Sequence, residues 1–95
     1  VLSVTSNLKR PGAQLGDVTV QWSIIAESLC NSVNPEGRHC FGSILAGARG
    51  PRISFHHNLM AHHAARMPRL GNPLNAEQDS VGASFEIRSN VFYNW

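Results

Sequence analysis

Acidic side chains are scarce in this chain. There are six in 95 residues, and only Asp17 and Asp79 are aspartates. No close group of them offers the several oxygen ligands that a hard cation needs. Lysine is almost absent as well, since seven of the eight basic residues are arginine. The net charge of +2 is too small to argue for nucleic acid, and no basic run is interleaved with aromatics. No run of 18 apolar residues is present, so no segment reads as a transmembrane helix. The chain begins Val1-Leu2-Ser3, without an initiator Met, a basic n-region or an apolar h-region. It closes on the strand-like Val91-Phe92-Tyr93-Asn94-Trp95 with no polar tail. Both ends are therefore expected to lie inside structured elements of a longer fold. The two cysteines, Cys30 and Cys40, flank the loop-like stretch Asn31 to His39 and match no CxxC pattern. A disulfide closing that loop, as in a secreted protein, and two free thiols both fit.

What is present is a globular composition, 42% hydrophobic and 15% charged, in a length that allows at most one domain. With so little charge, much of the surface falls to Asn, Ser, Gly and backbone. Arginine suits bidentate recognition of carboxylates or phosphates, although most of the seven are expected to be solvated surface residues.

The organising feature is an internal repeat. Val20-Gln21-Trp22-Ser23-Ile24-Ile25, Phe55-His56-His57-Asn58-Leu59-Met60 and Ile87-Arg88-Ser89-Asn90-Val91-Phe92 align without gaps, at offsets of 35 and 32 residues. Each follows an alternating pattern (Val18-Thr19-Val20, Ile53-Ser54-Phe55, Phe85-Glu86-Ile87) that would bury one face of a strand. A polar residue then precedes two large apolar ones. This predicts strand, polar bend, strand, with Ser23, Asn58 and Asn90 as the bend because Asn tolerates the left-handed conformation. Stacked, Asn58 and Asn90 would form an amide ladder with Ser23 as a weaker rung. Such units cannot bury their apolar faces alone, and the pattern predicts a parallel β-helix. A further short strand is expected at roughly Gly42 to Leu45, with Gly47, Gly50 and Pro51 marking the turn before the second repeat. Alternation also fits an antiparallel sandwich, but no Asn-Gly or Asp-Gly hairpin signal joins the strands. A helix is allowed only around Leu59 to Ala65, where Pro68 would end it.

The runs DVTVQWSIIAESL, ISFHHNLMAHHAARMPRLG and FEIRSNVFYNW resemble the pectate and pectin lyases, polysaccharide lyase family 1. The likeness runs over nearly all of residues 1–95, and HHNLMAHHAARMPR is its most specific part. It implies an all-β, right-handed, single-stranded parallel β-helix of three sheets, here a few rungs of one domain truncated at both ends. It further implies a secreted, monomeric enzyme that cleaves pectate (polygalacturonate) by calcium-assisted β-elimination.

The family's R-x-P-R motif stands here as Arg66-Met67-Pro68-Arg69. On that match Arg66 is the base for the C5 proton, and Arg69 pairs with a substrate carboxylate. Arginine is ordinarily protonated, so an arginine base requires a site crowded by cations and shielded from water. Two departures follow. The calcium-binding acids of the family lie upstream of the segment matching Val1-Leu2-Ser3, so the ligands are expected outside this chain. Asp17 reads as a turn residue, and Glu27 alone makes no calcium site. In the loop Asn34 to His39, Glu36 stands where relatives carry a substrate-binding Lys, and Arg38 is the candidate substitute.

Four of the five histidines form the pairs His56-His57 and His62-His63. A transition-metal site is one reading, but adjacent residues of a strand face opposite ways. The pairs are expected to stack or hydrogen-bond beside the cleft, and His39 carries no assignment. Trp22, Tyr93 and Trp95 are expected in core or stack packing. A non-catalytic β-helix that binds acidic polysaccharide is the competing function. A hydrolase on the same fold would need clustered aspartates.

Overall fold

The computed structural model of the chain describes residues 2–5, 14–31, 33 and 35–94. Val1, Ser32, Asn34 and Trp95, each part of a segment read above, lie outside the described residues.

The described chain is all-β, with nine short strands and no helix. They are β1 (Leu2–Thr5), β2 (Val18–Gln21), β3 (Ile24–Ala26), β4 (Ser43–Ala46), β5 (Arg52–His56), β6 (Leu59–Ala61), β7 (Arg69–Gly71), β8 (Ser84–Arg88) and β9 (Val91–Tyr93). They form three three-stranded sheets in the orders β1-β4-β7, β2-β5-β8 and β3-β6-β9, and every pairing is parallel. The chain therefore visits the three sheets in turn and completes three circuits. The antiparallel alternative is not what forms, and Leu59 to Ala61 is strand rather than helix.

The repeat carries directly into the register. Val20 pairs with Phe55 and Phe55 with Ile87, while Ile25 pairs with Met60 and Met60 with Phe92. Equivalent positions recur because a one-residue slip would turn each buried side chain outward. In β5, Ile53 and Phe55 are buried while Ser54 between them is partly exposed. The core comprises Leu45, Ile53, Phe55 and Met60, with Val4, Val20, Ile25 and Phe85 packed around it. Burying each such side chain contributes about 1.5–3 kcal/mol. The short strand expected at roughly Gly42 to Leu45 is β4, which begins one position later.

The bend was expected on Ser23, Asn58 and Asn90, but it falls one residue earlier. Trp22, His57 and Ser89 have φ of 52°, 55° and 53°. The residue that follows is then free to turn its side chain toward the neighbouring circuit. Asn58 Oδ1 accepts the Ser23 N–H at 3.0 Å, and Asn90 Oδ1 accepts the Asn58 N–H at 2.9 Å. The Asn58 and Asn90 Nδ2 groups donate to the Val20 and Phe55 carbonyls at 3.0 and 2.9 Å. The expected ladder is present, but its bonds run from amide to backbone.

A second line of left-handed residues, Glu27, His62 and Asn94, follows the third strand of each circuit. Trp22 is 74% exposed and Tyr93 62% exposed, so neither is a core residue. Trp22 does stack, lying on the His57 ring with centroids 4.4 Å apart.

Candidate functional site

Two connections lead from the third sheet to the first, and they run side by side. The earlier one carries Arg38 and enters β4; the later one carries Arg66 and enters β7 at Arg69. Ala64 N–H donates to the Cys40 carbonyl at 2.8 Å, Gly42 N–H to Ala65 at 3.0 Å, and Ser43 N–H to Arg66 at 2.7 Å. Phe41 and Ala65 form an isolated parallel bridge. Gly42 makes the approach possible, since a Cβ there would lie 2.6 Å from the Arg66 carbonyl oxygen and 2.7 Å from Met60 Cε.

Within this clasp the Arg66 guanidinium lies over the Phe41 ring, with Cζ 4.0 Å from the centroid. Its backbone is left-handed, with φ of 60°, and the Met67–Pro68 peptide that follows is cis. Phe41 is met edge-on by His39 at 4.5 Å. Arg69 occupies the exposed outer row of the first sheet, in register with Ile44 and, through it, with Ser3. Arg38 is exposed in a loop whose ends are tied by the Cys30–Cys40 disulfide, with Cα atoms 4.2 Å apart. The pairing left open by the sequence is thus a bond. The His39 N–H also donates to the Cys30 carbonyl at 3.3 Å.

Arg52 and Arg88 form salt bridges, with Asp17 at 2.7 Å and Glu86 at 2.8 Å. Arg38, Arg66 and Arg69 have no acidic partner there. A pocket of ≈ 390 Å³ adjoins Arg66, lined also by Ala64, Ala65, Met67 and Phe92. No family model, curated protein or solved structure matches this chain.

A second concavity, ≈ 340 Å³, lies on the outer face of the second sheet and includes Asp17, Thr19, Arg52, Ser54 and Glu86. Its charges are already matched. Asp17, expected to be a turn residue, accepts from the Arg52 guanidinium twice and from its backbone N–H. Those bonds hold the Asp17 carboxyl below the usual range and raise Arg52 above its own. Glu86 is likewise lowered by bonds from Arg88 and Ser54. A face so internally paired has little left to offer an ionic ligand.

The histidines divide differently from the expectation. His56 and His57 were expected on opposite faces, yet their Nδ1 atoms lie 2.7 Å apart. The left-handed backbone at His57 breaks the strand alternation and swings its ring back. Burial, followed by the nearby positive Arg88, depresses the His56 pKa, while Glu86 opposes them.

His62 and His63 do part. His62 is exposed and bonds Asn94, whereas His63 is 4% exposed. His63 Nε2 lies 2.8 Å from the Ile25 carbonyl, and Nδ1 lies 2.8 Å from Ser28 Oγ. A carbonyl only accepts, so Nε2 carries a proton and donates to it. Among the described residues no group of three His, Cys, Asp or Glu could hold a metal ion.

Asp79 is a structural centre that sequence reasoning passed over. It is 8% exposed and accepts from the backbone N–H groups of Arg49, Val81 and Gly82 and from the Asn72 side chain. These bonds, that from Arg49 foremost, lower its pKa to about 2. The stretch Asp79-Ser80-Val81-Gly82 is itself a turn signature that could have marked it.

Proposed function

We propose that the chain is part of a right-handed parallel β-helix of a secreted, monomeric polysaccharide lyase that cleaves pectate by β-elimination. The observation that carries the reading is the charge arrangement. Arg38, Arg66 and Arg69 stand without an acidic partner among the described residues, on two adjoining connections and on β7, which the later one enters. An anionic galacturonate chain needs such unmatched guanidinium groups, each with several donors for a carboxylate.

In this reading Arg66, acting in its neutral form, takes the C5 proton and becomes a guanidinium, while Arg69 and Arg38 bind substrate carboxylates. That proton lies α to a carboxylate and is only weakly acidic. Cationic groups around the carboxylate stabilise the enolate-like charge that develops as it leaves. The electron pair then forms the C4–C5 double bond and expels the C4 oxygen. Neither a water nucleophile nor a carboxylate pair is required, in contrast to glycoside hydrolysis. The calcium implied by the resemblance finds no suitable set among the described residues. In this reading its ligands belong to segments outside them. The Cys30–Cys40 disulfide fits a secreted protein.

A second reading, a β-helix that binds acidic polysaccharide without cleaving it, is favoured by Glu36 at a position where relatives place a basic residue. Supplying polygalacturonate and calcium to the full-length protein separates the two. Release of ultraviolet-absorbing unsaturated oligosaccharides supports the lyase. Retention of the polymer without such product supports the binding module.

A further inference from the structure

We infer that Phe41 is a positioning residue, the side chain that fixes where the Arg66 guanidinium sits. The inference rests on the lyase reading for its catalytic consequence, but its geometric content stands apart. Arg66 lies on a connection whose backbone is clasped at Ala64, Ala65 and Arg66 by the segment from Cys40 to Ser43. The clasp places Phe41 beneath the guanidinium, with Cζ 4.0 Å from the ring centroid.

A ring face supports an arginine with a useful property. Attraction to the π face uses none of the five N–H donors of the guanidinium, and it introduces no competing anion. A carboxylate support, such as Asp17 provides for Arg52 at 2.7 Å, would pair with the guanidinium nitrogens that must reach the substrate. The ring is itself held through the residues that precede it. His39 meets it edge-on at 4.5 Å, and the preceding residue, Cys40, is tied to Cys30. The disulfide-closed loop is thereby connected to the Arg66 backbone through the clasp and to its guanidinium through the Phe41 ring.

The test compares Phe41→Leu with Phe41→Tyr in the otherwise unaltered protein. Tyrosine retains the ring face, whereas leucine retains apolar bulk without it. Two readouts are needed. The first is the NMR position of the Arg66 Nε–Hε resonance, which a ring face 4.0 Å from Cζ displaces. It should move toward the position of an exposed arginine in Phe41→Leu and stay in place in Phe41→Tyr. The second is turnover of polygalacturonate, where Phe41→Leu should lower kcat roughly tenfold with little change in KM, and Phe41→Tyr should restore it. An unmoved resonance in folded Phe41→Leu overturns the inference, whatever the activity. If the resonance moves but the unaltered protein makes no unsaturated product, the positioning role stands and the lyase reading fails. If the resonance moves while kcat is unchanged in an active enzyme, the catalytic consequence is overturned.

Discussion

Asn90 grips the circuit before its own at the backbone of Asn58 and Phe55. Its Oδ1 accepts the Asn58 N–H at 2.9 Å, and its Nδ2 donates to the Phe55 carbonyl at 2.9 Å. Asn58 repeats the arrangement one circuit earlier, on Ser23 and Val20. A side chain that must both accept and donate, at fixed spacing, admits few substitutes.

Asn58→Ala should therefore be costly. Asn58 is 2% exposed, and its loss leaves the Ser23 N–H and the Val20 carbonyl without their partners. The expected destabilisation is about 2–4 kcal/mol, read from the midpoint of urea unfolding. Asn58→Asp should also destabilise, since it keeps an acceptor but loses the donor and buries a charge. An Asn58→Ala variant as stable as the parent would remove the ladder from the account.

Gly42→Ala should disturb the clasp from the opposite side. The added methyl meets the Arg66 carbonyl, a backbone atom that cannot rotate away, as well as Met60 Cε and His63 Cδ2 at 2.9 Å. A loss of about 1–3 kcal/mol is expected by thermal or denaturant unfolding. Gly16, where nothing lies within 4 Å of the place a Cβ would take, is the control, and Gly16→Ala should be close to neutral.

Asp79 predicts acid sensitivity with a defined sign. Its pKa is lowered from 3.8 to about 2 in the folded chain, so the unfolded chain binds the proton more readily. The carboxylate's contribution is complete above pH about 4 and is lost as pH falls through about 2. Asp79→Asn should flatten that part of the stability profile, measured by urea midpoints across the acid range. An unchanged acid slope would show that the carboxylate at Asp79 is not what titrates.

The repeat was legible because burial fixes register. Val20, Phe55 and Ile87 must recur on the inward face, and their spacing could be counted. The residue that bends was not legible. Trp22 and His57 are poor candidates for a left-handed backbone, and only the engagement of the next side chain with the neighbouring circuit places them there. The same displacement hid the His56–His57 contact. The candidate arginines could be listed from the motif and the loop, but not their support. Phe41 reaches Arg66 through two irregular connections of unequal length, and no periodicity reports a contact of that kind.

Arg66→Lys tests the central claim most directly, with unsaturated product from polygalacturonate followed by ultraviolet absorbance in the presence of calcium. Lysine keeps the positive charge but neither the planar fork nor the geometry of the guanidinium. The account predicts product from the parent protein and a fall in kcat of at least about a hundredfold in Arg66→Lys. Undiminished turnover in that variant would contradict the assignment of Arg66 as the base.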